Sequence, residues 1–387
     1  MIKIFTLILL VQVSSHASII SKWLVPNPTR YQFESTSERT KPIVVGDLVY
    51  ASGIHGNLYT IHRTDGYVLW SKKLEAPVEG SLSYGRSKIV VGDLKGNLVT
   101  LNARDGSENW RFKIQGEWLA PANIYRDKVI AATSNDELYA FSEAKGTELW
   151  HYAHRGDEKM TVRGTSGPVV TGNFVLQGFS NGHVVCLNLN DGKVLWDKNL
   201  KTKSRFYDVD MNVYADDKGV IAGTFDGKVY SMDLSTGNPN WIFPVGSYGG
   251  FLVHDGKVIF AGLDGNIYAL NRESHAIIWK TPFVGGVGTT PALVDDFVVV
   301  STSDDPTYVL EAATGKIHDT VRLGRGTLAA ATTGPDGWFY VMSNYGNLFS
   351  YQIFKNILFK KGPEAVSSAS AIDREIVLPK KNSPAAG

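Results

Sequence analysis

A single cysteine, Cys186, stands in a chain of 387 residues, so no internal disulfide forms and a disulfide-stapled framework is excluded. Its setting, the alternating run HVVCLNL, marks it as a core residue rather than a reactive thiol. An excess of charge of one sign is also missing. Lys+Arg 39 against Asp+Glu 38 leaves a net charge of +1, and no global field recruits nucleic acid or anionic lipid. Long apolar runs are scarce, and the run Ile4 to Val13 is too short to span a bilayer as a helix. With Lys3 before it and small residues up to Ala17 after it, residues 1–17 have the outline of an export signal. No cysteine directly follows that segment, so a lipid anchor is not expected. The tail 360–387 has Ser, Ala, Pro and Lys but no aromatic residue, and is expected to be disordered.

What the chain has in plenty is a repeat. Trp70, Trp110, Trp150, Trp196, Trp241 and Trp279 recur at spacings of 40, 40, 46, 45 and 38, each opening a strand-like run shortly after a turn. In the second copy, Ile89 to Val91 is a short β-branched run, Lys95-Gly96-Asn97 a turn, Leu98 to Leu101 the next strand, and Asp105-Gly106 the turn before Trp110. The stretch between copies, carrying Pro121, Pro168 or Pro291, supplies a fourth strand. The first turn recurs at Gly56, Gly96, Gly182, Gly227, Gly265 and Gly346, with Asp136 and Pro306 as departures. The second recurs as an X-Gly pair from Asp65-Gly66 to Thr314-Gly315 and lapses at Ser274-His275.

A small four-stranded sheet cannot bury both of its faces, so the copies must stack radially and close. The repeat therefore predicts an all-β fold, an eight-bladed β-propeller of four-stranded antiparallel blades over residues 18–359. One tryptophan per copy fills the gap between neighbouring sheets. The eighth copy has a weak fourth strand, while the segment Trp23 to Phe33 resembles an orphan outer strand. The N-terminal strand is thus expected to close the ring, with 353–360 as the other segment available to complete the last blade.

No constellation supports catalysis, and no catalytic, cofactor-binding or metal-binding residues are expected. There is no G-x-S-x-G elbow, no phosphate-cradling loop and no Cys-rich metal pattern. His151 and His154 stand three apart, which on a strand sends them to opposite faces. Asp216-Asp217 and Asp304-Asp305 fall in turns, where Asp serves the backbone.

Two connectors break the repeat, MTVRGTSGP (Met160 to Pro168) and SRFYDVD (Ser204 to Asp210). With the eight-copy ladder they resemble the BamB family, propeller subunits of the machinery that folds β-barrel proteins into the bacterial outer membrane. That family carries a similar L-x-L-R-G-x-S-x-P connector followed one blade later by R-x-x-D-V-D. The resemblance covers about Trp23 to Tyr351. It implies a non-enzymatic periplasmic scaffold, peripheral to the inner face of the outer membrane and monomeric within a hetero-complex. The implied partner is a BamA-like insertase, engaged through its POTRA domains, with unfolded outer-membrane proteins as further clients. The implied contact residues are Met160, Val162, Arg163, Asp208 and Asp210, with Met160 standing where the family has Leu. An exposed Met and Val beside a guanidinium form the mixture enriched at interface hot spots. Arg163 either pairs with Asp208 or Asp210 or offers its fork to a partner carboxylate, and both connectors also fit a role as plain stitches between blades. The runner-up is a secreted ligand-binding or sensor propeller. A quinone-dependent dehydrogenase comes third, because those propellers use adjacent cysteines, a calcium site and longer blades.

Overall fold

Each repeat folds into four antiparallel strands whose lengths follow from their place. In the third copy these are Asn123–Tyr125, Lys128–Ala132, Glu137–Ser142 and Glu148–Ala153, numbered outward from the ring axis. The innermost strand is short because the sheets converge there. The two middle strands are apolar on both faces, since each face meets a neighbouring sheet; Val129 to Ala132 and Leu138 to Phe141 are buried without alternation. The outer strand alternates, burying Trp150 and exposing Glu148 and His151.

The computed structural model describes residues 18–26, 37–154, 166–201, 213–225 and 227–354. Eight such sheets follow one another, spanning 43–73, 83–113, 123–153, 169–199, 214–243, 252–282, 292–321 and 332–354. We number these blades 1 to 8. Blade 8 supplies only three strands of its own, Thr332–Thr333, Trp338–Met342 and Leu348–Phe354; its outer place is taken by Ser18–Val25. The ring is therefore closed by the N-terminal strand, as the sequence predicts. The closing strand differs in its bounds, lying over 18–25 rather than starting at Trp23, while residues 27–36 and everything beyond Phe354 lie outside the described residues.

In blades 1 to 7 the ladder between the third and outer strands slips by one residue at the same place. In blade 3, Ala140 pairs with Trp150 and Phe141 with Glu148, leaving Leu149 unpaired. The bulge explains a recurrent exposed apolar residue just before the tryptophan, at Leu69, Leu149, Leu195 and Ile278.

The tryptophan and the second turn prove to be two halves of one joint. Trp110 on blade 2 donates its indole N–H to the Glu143 carbonyl of blade 3 at 2.9 Å, and its ring lies flat on Gly146 in the turn that follows. Trp150 does the same with Leu189 and Gly192, Trp196 with Leu234 and Gly237, and Trp279 with Ala312 and Gly315. Blade 1 varies the scheme: Tyr50 Oη donates to the Ala103 carbonyl at 3.2 Å, in the place Trp70 would occupy, while Trp70 still covers Gly106. Blade 7 has Asp319 in the tryptophan register.

Trp23 belongs to this ladder although it precedes the first repeat. Its Nε1 donates to the Arg63 carbonyl at 2.9 Å and its ring covers Gly66 of blade 1, with Tyr340 of blade 8 at 5.6 Å. Trp23→Ala removes the joint between the last and first blades and is expected to cost about 2–3 kcal/mol, at the lower end for a large aromatic because Trp23 is only half-buried. Chemical denaturation measures it, with Leu149→Ala as the exposed outer-strand control. Equal losses in the two variants would show that the closing strand adds nothing to the ring.

Candidate interaction surface

Every blade hands the chain from its outermost strand to the innermost strand of the next, and these links share one rim. Most are short, as at 74–82, 114–122, 244–251 and 283–291; those at 26–42, 154–168 and 200–213 are longer, and the last two flank blade 4 on either side. The five residues singled out by the sequence, Met160, Val162, Arg163, Asp208 and Asp210, lie in 155–165 and 202–212, outside the described residues.

The ends of these last two links are described, and they are firmly held. The first returns at Ser166, which is fully buried; the buried Gln177 amide donates to the carbonyls of Ser166 and Gly178 at 2.7 Å each. Asn123 Nδ2 reaches the Pro168 carbonyl at 3.3 Å, tying the returning chain to blade 3. The second link leaves through Leu200, whose N–H donates to Gly182 O at 2.9 Å, and returns at Val213. Both residues are buried with Trp196 in the core between blades 4 and 5. Two long links thus issue from neighbouring points on rigid footings, the condition under which a loop presents side chains reproducibly.

The acidic turns serve the fold. Asp216 accepts from both terminal nitrogens of Arg272, at 2.6 Å for Nη1, and this pairing holds its carboxyl below the usual carboxylate range. Asp305 accepts from the Leu323 N–H at 3.0 Å. Cys186 is buried between blades 4 and 5, where desolvation pushes its thiol up to about 12.

His151 and His154 go to separate places. The His151 ring stacks on Tyr139 at 4.2 Å, with Glu137 at 3.8 Å, all within blade 3. His154 instead crosses to blade 4: its ring stacks on Phe179 at 4.7 Å and stands 4.8 Å from that of His183. His183 Nδ1 in turn meets Asp197 Oδ1 at 2.6 Å. Burial and the neighbouring His183 hold the His154 imidazole below its ordinary value, against the opposing pull of Asp197 and Asp136. Sequence neighbours do not reveal this group. A signal existed in the register, since Glu137 and His151 in blade 3 occupy the same diagonal positions as His183 and Asp197 in blade 4.

A family profile described as outer membrane protein assembly factor BamB matches residues 54–281 and 249–353, most of the ring. This chain belongs to the BamB family. The outer membrane protein assembly factor BamB of Pseudomonas aeruginosa is 39% identical over 320 residues, 81% of this chain and 84% of that protein. The BamB of Legionella pneumophila is 37% identical over 316 residues, 80% and 82% respectively. Among solved structures, BamB from Moraxella catarrhalis superposes with a TM-score of 0.73 at 21% identity, covering 87% of this chain and all of that one. The quinohemoprotein alcohol dehydrogenase from Comamonas testosteroni superposes at 0.71 with 14% identity, covering 91% of this chain and 79% of that one. At such identities the superpositions speak for the fold alone. The two sequence relatives, both above 30% identical along most of their length, are BamB proteins.

Proposed function

We propose that this protein is a non-catalytic scaffold of outer-membrane β-barrel assembly, working in the periplasm at the inner face of the outer membrane. Residues 1–17 direct its export, and the tail 360–387 takes no part in the ring. The chain docks on the POTRA domains of a BamA-like insertase and assists delivery of unfolded barrel precursors. Family membership over most of the ring carries this reading, and the links 154–168 and 200–213 on one rim supply a surface for it.

In this reading Met160 and Val162 anchor in an apolar recess of the partner, while Arg163, Asp208 and Asp210 fix orientation through charge-assisted hydrogen bonds. Arg163→Ala is expected to weaken partner binding by about 2 kcal/mol or more, roughly thirtyfold. The measurement is a titration of each purified variant against the periplasmic region of the partner, with Asp208→Ala/Asp210→Ala alongside. Wild-type affinity in both variants would remove this surface from the contact.

A further inference from the structure

We propose that His154, His183 and Asp197 bind one divalent transition-metal ion of the zinc class at the seam between blades 3 and 4. Their ligand atoms, one from each residue, all lie within 4.8 Å of one another. Two imidazoles and a carboxylate are a donor set that favours zinc-type ions over calcium or magnesium, which prefer all-oxygen sites.

The surroundings hold these donors in place and add the right charge. His154 is wedged against Phe179, and its Nδ1 lies 3.0 Å from the Tyr152 hydroxyl. With Nδ1–H donating to that oxygen, Nε2 is left free to ligate, the arrangement in which an outer hydrogen bond orients a metal-binding histidine. The His154 backbone N–H donates to the Asp136 carbonyl at 3.0 Å, so the position of the residue is fixed as well as its ring. The Asp136 carboxylate, held by Ser180 N at 3.2 Å, places a second negative charge beside the first. Two neutral imidazoles and two carboxylates give the pocket a net charge that a dication neutralises.

An ion bound to His183 Nδ1 and Asp197 takes the place of the proton between them, which moves to His183 Nε2 so that the ligating ring stays neutral. Tetrahedral coordination sets ligand atoms about 3.3 Å apart, so the 2.6 Å contact opens by less than an ångström while separations of up to 4.8 Å close by about 1.5 Å, movements that fall to partly exposed side chains. Three protein ligands leave a fourth position for water. The ion would join the outer strand end of blade 3 to the outer half of blade 4, where the long link 154–168 begins. The sequence predicts no metal site because these ligands come from three separate places in the chain, the residue that follows the outer strand of blade 3 and two strands of blade 4. The proposal stands independently of the docking role.

The test uses the full chain with any purification tag removed, titrated calorimetrically with Zn²⁺ and, in parallel, with Co²⁺ followed by visible absorption. One ion per chain is expected, with the intense bands of a tetrahedral cobalt site and no competition from Ca²⁺. His183→Ala and Asp197→Asn should each weaken binding about tenfold or more, while His151→Ala leaves it unchanged. The Asp197 change is isosteric and exposed, so it keeps the test valid if the histidine variant misfolds. No saturable binding, or binding that survives both changes, overturns the assignment.

Discussion

Replacing Glu38 by Gln is expected to flatten the pH dependence of the ring's stability between acid and neutral solution. Glu38 sits across the closing seam. Its N–H donates to Asn344 Oδ1 at 2.9 Å and its carbonyl accepts from Leu328 N at 3.0 Å on the blade 8 side, while its carboxyl turns toward blade 1. There it accepts from Thr40 N at 2.8 Å and from Ile54 N at 3.4 Å, in a berth that exists because Gly53 has no side chain; a Cβ at Gly53 would lie 2.5 Å from the carboxyl oxygen. The side chain is wholly buried, and desolvation outweighs these hydrogen bonds, raising its pKa from 4.5 to about 7. The Thr40 hydroxyl supports a protonated Glu38. It contacts both the Glu38 carboxyl and the Ser52 carbonyl, at 2.5 Å for the latter, yet has one proton to give. A neutral Glu38 donates to Thr40, which donates to Ser52, and every contact is satisfied.

The sign follows from proton counts. Between pH 4.5 and about 7 the folded ring keeps a proton that the unfolded chain releases, so stability is full below 4.5, falls as pH rises, and is level above about 7. The loss amounts to about 3 kcal/mol across that window. His55 and His154, both held below 6.5 by burial, act in the opposite direction over part of the same range. Acids held low by partners, such as Asp216 beside Arg272, lose their contribution only at more acid pH. Subtracting the Glu38→Gln profile from the wild-type profile cancels these shared terms. Denaturant unfolding at pH 4.5 and pH 7 measures the difference; if it stays constant, the Glu38 carboxyl is ionised in the folded ring and the seam is not its desolvating environment.

The seam also marks the boundary of what the sequence discloses. Blade count, strand order and the closing role of the N-terminal segment are legible because they depend on turns and apolar runs that repeat in the chain. Trp23 stands outside the sequence ladder of tryptophans because it lacks a preceding turn of its own, although its partner turn, Asp65-Gly66, lies in the next blade as for the others. Glu38 is invisible for a related reason, since a buried carboxyl is recognised by the atoms around it and these come from residues 40, 53 and 54 of blade 1, while residues 328 and 344 on the blade 8 side hold its backbone. The His154 group follows the same pattern. Local periodicity specifies elements, whereas seams between blades are made by residues about one repeat apart, or a whole ring apart at the closure.

The joint between tryptophan and glycine allows that claim to be measured at a single seam. Trp110→Ala is expected to cost about 3–5 kcal/mol, because it empties a buried indole site and takes from the Glu143 carbonyl one of its two donors, leaving Lys88 Nζ at 3.1 Å. Gly146→Ala is expected to cost about 2–4 kcal/mol from two sources. Gly146 has φ +68°, a left-handed conformation that costs an alanine about 1–2 kcal/mol, and the added Cβ would lie 2.5 Å from Trp110 Cδ2. Only the second source depends on the indole. In the Trp110→Ala background the glycine change should therefore retain only its backbone penalty, giving a coupling of about 1–2 kcal/mol in the double-mutant cycle. The ring contains its own precedent for the uncoupled case. At the blade 5 to blade 6 seam the turn residue is His275, with φ +51°, and Trp241 meets its ring at a 34° tilt and 5.8 Å while still donating to the Arg272 carbonyl at 2.8 Å. A side chain can thus occupy the turn when the indole gives way, and the cost of that yielding is what the cycle reads. Additive losses at Trp110 and Gly146 would mean that the glycine serves the turn alone and that the two recurring signals of the sequence are separate devices.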